Sequence, residues 1–286
     1  MSKYQFEKET KDIQWCPGCG NFGILRIVKE VLSEMELDPT QTAIVSGIGQ
    51  AAKLPHYLNI NTFHSLHGRA LPIATGLKTA NPGLTVIAEG GDGDMYGEGG
   101  NHFIHAIRRN PNITNIVHNN MVYGLTKGQA SPTSRKGFKT PVQTSGVADT
   151  PFNPLAVAIS LGAGFVARGF SGHVDETKEI IKKAIQHKGY ALVDIFQPCV
   201  VFNKVNSYKW FQDHVSYLPE DYDPTDRAQA LSYALKEDDF SLGVLYVEKG
   251  GIPFEDTLAS NRDGRTPLLD CKVNEKELNS LIDSFA

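Results

Sequence analysis

Five short apolar runs, each closed by a glycine or a polar residue, limit most sharply what this chain can fold into. They are TAIVSG (42–47), LTVIAEG (84–90), ITNIVH (113–118), GFVAR (164–168) and YALVDIF (190–196). Each is short for a helix and apolar on successive residues, as strands buried on both faces are. Stretches with helical spacing lie between them. Residues 22–35 set Leu25, Val28, Leu32 and Met35 on one face, with Lys29 and Glu30 on another. Residues 97–109 carry Phe103, Ile104 and Ile107, and a third helix is expected from about Val174 to His187. This alternation predicts an α/β fold: a parallel sheet flanked by helices. Residues 124–152 are rich in Gly, Ser, Thr and Pro and lack periodicity, and loops that long inside a compact domain are usually functional or mobile. After about residue 205 the pattern weakens. YKWFQDHVSYLPEDYDP reads as an irregular, aromatic-rich extension, and LGVLYVE (242–248) as one more strand at an edge. The expected organisation is a main domain over 1–204 and an extension over 205–286.

Composition excludes several function classes. With 41% apolar and 21% charged residues, the 286-residue chain can bury a real core. Its net charge of −4 is spread along the chain, with no basic stripe for nucleic acid. No apolar run reaches the length of a membrane span. The opening MSKYQFEKETKDIQ is polar and charged, unlike a signal peptide, so a cytoplasmic protein is expected. In that compartment stabilising disulfides are unusual, and the close pair Cys16/Cys19 points to metal or redox chemistry.

The sharpest motif is strand–GGDGD–helix followed by strand–NN. Gly90, Gly91, Asp92, Gly93 and Asp94 follow one apolar run, and Asn119 and Asn120 follow the next. In a parallel sheet both segments emerge at the carboxyl ends of strands, where open α/β sheets bind ligands. Glycines let backbone N–H groups approach a diphosphate, and a helix N-terminus favours an anion. Asp92 offers a hard carboxylate oxygen for Mg²⁺ and an Asn amide offers a second. An ordinary turn would explain GDG alone. It does not explain Asp92 and Asn120 separated by one helix and one strand.

This spacing resembles the diphosphate–Mg²⁺ signature of thiamine diphosphate enzymes. The resemblance implies Asp92 and Asn120 as side-chain metal ligands and the Val122 carbonyl as a third. The flanking stretches WCPGCGNFGIL (15–25), SGIGQAAKLPHY (46–57), HSLHGRALPIATGLK (64–78), GGDGDMYGEGGNHFIHAIRRN (90–110) and NNMVYGLTKGQASPTS (119–134) narrow it further. With PFNPLA and QPCVVFN, they resemble the beta subunit of 2-oxoacid:ferredoxin oxidoreductases over most of residues 15–204. The implied cofactor contacts are Ile48, Gly49, Gln50 and Ala51, then Ser65, Leu66, His67 and Gly68, then Gly93, Asp94, Gly124 and Leu125. Lys53 and Lys127 are candidate catalytic partners for a substrate carboxylate, although most lysines are simply solvated. GLTKGQ resembles members that accept 2-oxoglutarate.

The cysteines hold the one departure. W-C-P-G-C looks like a thioredoxin-type motif, but no strand precedes it. A zinc half-site lacks a second close Cys/His pair. In the family a [4Fe–4S] cluster is held by this CxxC, by a cysteine in the S-G-I-G-C loop and by one in a P-C-V segment. Cys16, Cys19 and Cys199 match three of these, and Gln50 stands where the remaining cysteine belongs. Three outcomes stay open: a cluster completed by an oxygen ligand or water, recruitment of Cys271, or a lost or labile cluster. The resemblance implies oxidative decarboxylation of a 2-oxo acid to an acyl-CoA, with electrons passed through the cluster to ferredoxin and an obligate alpha subunit as partner. The alternatives are a thiamine-dependent non-oxidative decarboxylase and a non-catalytic metal-binding or assembly subunit.

Overall fold

The computed structural model describes residues 3–8, 12–258 and 266–285. In chain order the elements are α1 (Asn21–Glu34), β1 (Thr42–Ser46), β2 (Asn61–His64), α2 (Ala70–Ala80), β3 (Thr85–Gly91), α3 (Gly100–Arg109), β4 (Thr114–Asn119), α4 (Pro154–Ser160), β5 (Phe165–Phe170), α5 (Val174–Gln186), β6 (Ala191–Phe196), α6 (Tyr208–Asp213), β7 (Val215–Tyr217), α7 (Arg227–Ala234), β8 (Phe240–Val247) and α8 (Glu275–Asp283). The five apolar runs are β1, β3, β4, β5 and β6. Every residue of β1, β4, β5 and β6 is buried. Within these continuous runs the two-residue period of a strand still sorts side chains to opposite faces. Val45, Val86, Val117 and Leu192 join Phe103, Leu155 and Tyr190 in a core covered by α2, α3, α4 and α7. Ile44, Ile87, Ile116 and Val193 join Ile24, Val28 and Ile181 in a second core under α1 and α5. The polar N-terminal stretch sends Phe6 and Trp15 into this second core.

Among the described residues, eight strands form one sheet in the order β2-β1-β3-β4-β6-β5-β8-β7. Neighbours from β2 through β5 are parallel, β8 runs antiparallel to β5, and β7 is parallel to β8. The strand expected at an edge therefore stands one position inside it, with short β7 outermost. The aromatic stretch read as irregular holds α6 and β7. Its Phe211 is buried against Phe170 and Phe196. The helix expected from residue 97 begins at Gly100, because Gly93–Glu98 first make a wide π-type turn, a feature frequent at functional sites. Sequence reasoning assigned neither β2, whose side chains are all exposed, nor α2, where Pro72, Thr75 and Gly76 dilute the helical pattern. No described helix is long and apolar enough to cross a membrane.

The parallel arrangement gathers the carboxyl ends of β1, β2, β3, β4 and β6 on one edge. The residues that follow those ends are Gly47–Gln50, Ser65–Gly68, Asp92–Asp94, Asn120–Leu125 and Gln197–Cys199. Phe103 supports this edge from the core below. It is fully buried and meets Tyr96, Phe152 and Tyr190 edge to face. Phe103→Ala should cost about 3–5 kcal/mol of stability. The check is a lowered urea midpoint with an unchanged slope.

Candidate active site

Asp94 ties the edge together. It is buried, and its Oδ1 accepts the Gly68 N–H at 2.7 Å and the Ile48 N–H at 3.3 Å. His67 Nδ1 lies 2.9 Å from the same oxygen, and this contact raises the imidazole pKa above its usual value. One carboxylate thus holds the loops after β1 and β2 against the turn after β3. Two glycines make room for it. A Cβ on Gly47 would fall 1.8 Å from Asp94 Oδ2. Gly68 has φ +69°, and a Cβ there would strike the Glu98 carbonyl carbon at 2.4 Å. Ser65 fastens the second loop by donating through both its N–H and its hydroxyl to the Ser46 carbonyl. Of the expected contacts, Ile48, Ser65, His67, Gly68 and Asp94 are thereby held together at this edge.

Asp92 and Asn120 meet across it. Asp92 is buried, and burial pushes its carboxyl up to about 6, with the Asp194 carboxylate adding to the rise. The Thr133 hydroxyl, donating at 2.6 Å, and the Asn120 main chain act in the opposite direction. Among the described residues no cation pairs with it, and a bound cation would hold it ionised, so the donor set suits Mg²⁺. Asn120 Oδ1 accepts the Val122 N–H at 3.0 Å, which closes the turn that carries both residues. Asn203, from the segment after Cys199, braces that turn by donating to the Asn120 carbonyl at 3.1 Å. Behind Asp92, Thr133 also lies 3.0 Å from Asn119 Oδ1, and Asn119 donates to Asp194. Tyr96 donates to Asp194 at 2.8 Å, and the buried Arg168 lies 3.5 Å away against the Phe196 ring. Sequence reasoning missed Thr133, Asn203, Asp194 and Arg168. The only available signal was the hydroxyl-rich SPTS inside the long aperiodic loop.

The loop after Asn120 projects outward. Tyr123 and Gln129 bridge its base, and Gly124, Leu125 and Lys127 lie along it. Met121 and Lys127 both adopt positive φ, 57° and 75°, unusual outside glycine and enriched at functional sites. Lys127 is exposed and Lys53 half-buried, and neither has a carboxylate partner among the described residues.

Cys16, Cys19 and Cys199 line one cavity with Gln50, Asn120 and Gly124. A tight turn joins the first two cysteines, with the Cys19 N–H donating to the Cys16 carbonyl. The Gly20 N–H donates to the Pro198 carbonyl, which draws the third alongside. Burial pushes the Cys19 thiol up to about 11, and the neighbouring Cys199 and Cys16 add to the rise. Among the described residues no three His, Cys, Asp or Glu side chains converge on a single metal ion. A multi-iron cluster spreads its thiolates more widely, and these three free thiols, two half-buried and one exposed, around one cavity fit that demand. The cavity shares its wall with the Asn120 turn. A Cβ on Gly124 would lie 3.8 Å from Cys199 Sγ.

A parallel α/β sheet with this edge defines a thiamine diphosphate-binding domain, and residues 41–195 match the family described as the C-terminal TPP-binding domain of thiamine pyrophosphate enzymes. Residues 199–263 match the C-terminal region of the pyruvate ferredoxin oxidoreductase beta subunit. The chain is 44% identical to the beta subunit of 2-oxoacid:ferredoxin oxidoreductase 1 of Aeropyrum pernix, covering 88% of this chain and 82% of that one. It is 51% identical to the corresponding subunit of Saccharolobus solfataricus over 73% of this chain and 70% of the other. A solved structure, 2-oxoglutarate:ferredoxin oxidoreductase from Magnetococcus marinus with 2-oxoglutarate, coenzyme A and succinyl-CoA bound, superposes with a TM-score of 0.91 at 36% identity, covering 98% of this chain and 96% of that chain. The chain belongs to the beta subunits of the 2-oxoacid:ferredoxin oxidoreductases.

Hydrogen bonds to a charged group contribute about 1.5–3 kcal/mol each. Asp94→Ala should therefore weaken thiamine diphosphate binding roughly 10–100-fold by releasing two loops at once. Calorimetric titration of the folded variant checks this, and unchanged affinity would remove Asp94 from its organising role.

Proposed function

We propose that this beta subunit works with an alpha subunit to decarboxylate a 2-oxo acid oxidatively to its acyl-CoA. Asp92, Asn120 and the Val122 carbonyl hold Mg²⁺ against the cofactor diphosphate. The main chain of Ile48, Gly49, Gln50 and Ala51, with Ser65, Leu66, His67, Gly68, Gly93, Asp94, Gly124 and Leu125, lines the cofactor. Bound thiamine diphosphate supplies an electron sink for decarboxylation. Cys16, Cys19 and Cys199 hold an iron–sulfur cluster that passes electrons to a ferredoxin. The observation that carries this reading is the shared wall: Asn120 and Gly124 belong to the cofactor edge and also line the cysteine cavity.

Several features support the finer points. Phe63 is 50% exposed, Leu66 74% and Leu125 43%, an apolar rim around the site that suits burial by a partner subunit. Strand β2 beside this rim leaves an open sheet edge, which also favours coverage. Residues 1–204 act as the cofactor unit, and 205–286 pack on that unit or on the partner, with β8 and β7 joining its sheet at the edge away from β2. Free, reduced cysteines suit a cytoplasmic setting. Lys53 and Lys127 face substrate carboxylates, and the similar Magnetococcus enzyme carries 2-oxoglutarate, so we assign the 2-oxoglutarate type. Gln50 favours a second reading, a decarboxylase that releases aldehyde without an electron acceptor.

Coexpression with the alpha partner and anaerobic purification separates the two. Iron and labile sulfide in the complex, with a cluster signal reduced on adding 2-oxo acid, support the oxidoreductase. A folded complex that binds thiamine diphosphate but holds no iron supports the decarboxylase. Thr133→Val should lower Mg²⁺ affinity about tenfold, read from the Mg²⁺ dependence of cofactor binding. Lys127→Met should reduce kcat/KM for 2-oxoglutarate roughly 10–100-fold and leave that for pyruvate nearly unchanged. Equal losses on both substrates would show that Lys127 does not read the distal carboxylate.

A further inference from the structure

The cysteine cavity offers three thiols, and the remaining corner has a different occupant. Four side chains lining it besides the cysteines carry a heteroatom: Trp15, Asn21, Gln50 and Asn120. The Trp15 indole N–H donates to the Gln50 carbonyl at 2.7 Å. Asn21 Oδ1 is 2.9 Å from His118 Nδ1, and Asn120 Oδ1 accepts the Val122 N–H. Gln50 Oε1 alone among these side-chain oxygens is buried without a hydrogen-bond partner. Its backbone is held in place: Trp15 is buried, packs edge to face on Phe22 and Tyr57, and grips the Gln50 carbonyl. Gln50 also precedes the 3₁₀ turn Ala51–Tyr57. Cys271 is no substitute. It is exposed beyond the short turn Leu268–Asp270, and Leu268 lines a groove with Pro72, His102 and Phe254, residues absent from the cysteine cavity.

We propose that the cluster in this subunit is held by three thiolates, with its fourth iron facing the amide oxygen of Gln50. This rests on the cluster reading above. A neutral amide oxygen is a weak ligand for iron among sulfides, where thiolate is favoured. That iron is therefore exchangeable, and the other three are not. A one-electron oxidant such as ferricyanide converts [4Fe–4S]²⁺ to [3Fe–4S]⁺, releasing Fe²⁺ and one electron, which the ferricyanide accepts. All four sulfides stay bound. Ferrous iron with dithionite reverses the step, restoring both the iron and the electron. The amide oxygen that is unpartnered in the protein gains its partner in the loaded site.

The test uses the alpha–beta complex purified without oxygen and titrated with ferricyanide, following iron, labile sulfide and the EPR spectrum. Wild type should lose about one iron in four with sulfide unchanged, and develop the signal of a three-iron cluster. Gln50→Cys should slow that loss about tenfold or more, and Gln50→Leu, which keeps the volume and removes the oxygen, should quicken it. Equal iron loss in wild type and Gln50→Cys, or full retention of iron in wild type, overturns the assignment while leaving the cluster in place. A folded complex that binds thiamine diphosphate but contains neither iron nor sulfide overturns the cluster reading as well.

Discussion

The Asp94 carboxylate is the interaction on which the site depends. A parallel sheet delivers several loops to one edge, but it does not fix how those loops sit against one another. Asp94 does so by accepting N–H groups from Ile48 and Gly68 and pairing with His67. Three segments that are distant in sequence become one wall. A buried carboxylate is costly without partners, so the arrangement holds only with those donors in place. The missing side chains of Gly47 and Gly68 are part of the same solution, because any Cβ there collides with Asp94 or with the turn at Glu98.

A second layer of polar groups runs beneath this wall. Asp92 leans on Thr133, Thr133 on Asn119, and Asn119 on Asp194, with Tyr96 and Arg168 completing the chain. Burial raises the carboxyl pKa of Asp194 and lowers that of the Arg168 guanidinium, so each charged form depends on the other. Such a network fixes the orientation of the Asp92 carboxylate from behind. They also explain why the long loop over 124–152 is ordered where it crosses the site: Ser131, Thr133 and Ser134 are buried and hydrogen-bonded, although the segment has no helical or strand period.

The cysteine cavity and the cofactor edge are neighbours because of two short connections. Gly20 bonds to Pro198, and Asn203 bonds to the Asn120 turn. The first brings the N-terminal CxxC to the end of β6, and the second ties the same region to the turn after β4. The cysteine cavity and the edge where the strands end therefore share residues, and a change at Gly124 or Gln50 reaches both. Phe63, Leu66 and Leu125 leave an exposed apolar rim beside this half-open site.

The sequence by itself determined the central parallel strands, because strands buried on both faces carry short, mostly apolar runs, even where Arg168 and Asp194 interrupt them. It also determined the Asp92–Asn120 pair, because one helix and one strand between them returns the chain to the same edge. The set Cys16, Cys19 and Cys199, and the odd glutamine among them, came from resemblance to a family. Tertiary structure alone decided the rest. Strand β2 and helix α2 carry weak periodic signals, since one is exposed and the other is interrupted by small and polar residues. The aromatic residues after 205 gained order only by packing Phe211 on Phe170 and Phe196. Thr133, Asn203 and Asp194 look like ordinary loop or strand polar residues until contacts spanning 14 to 98 positions give them partners. Hydrogen bonds between segments distant along the chain leave no period in the sequence, and so only the folded chain reveals them.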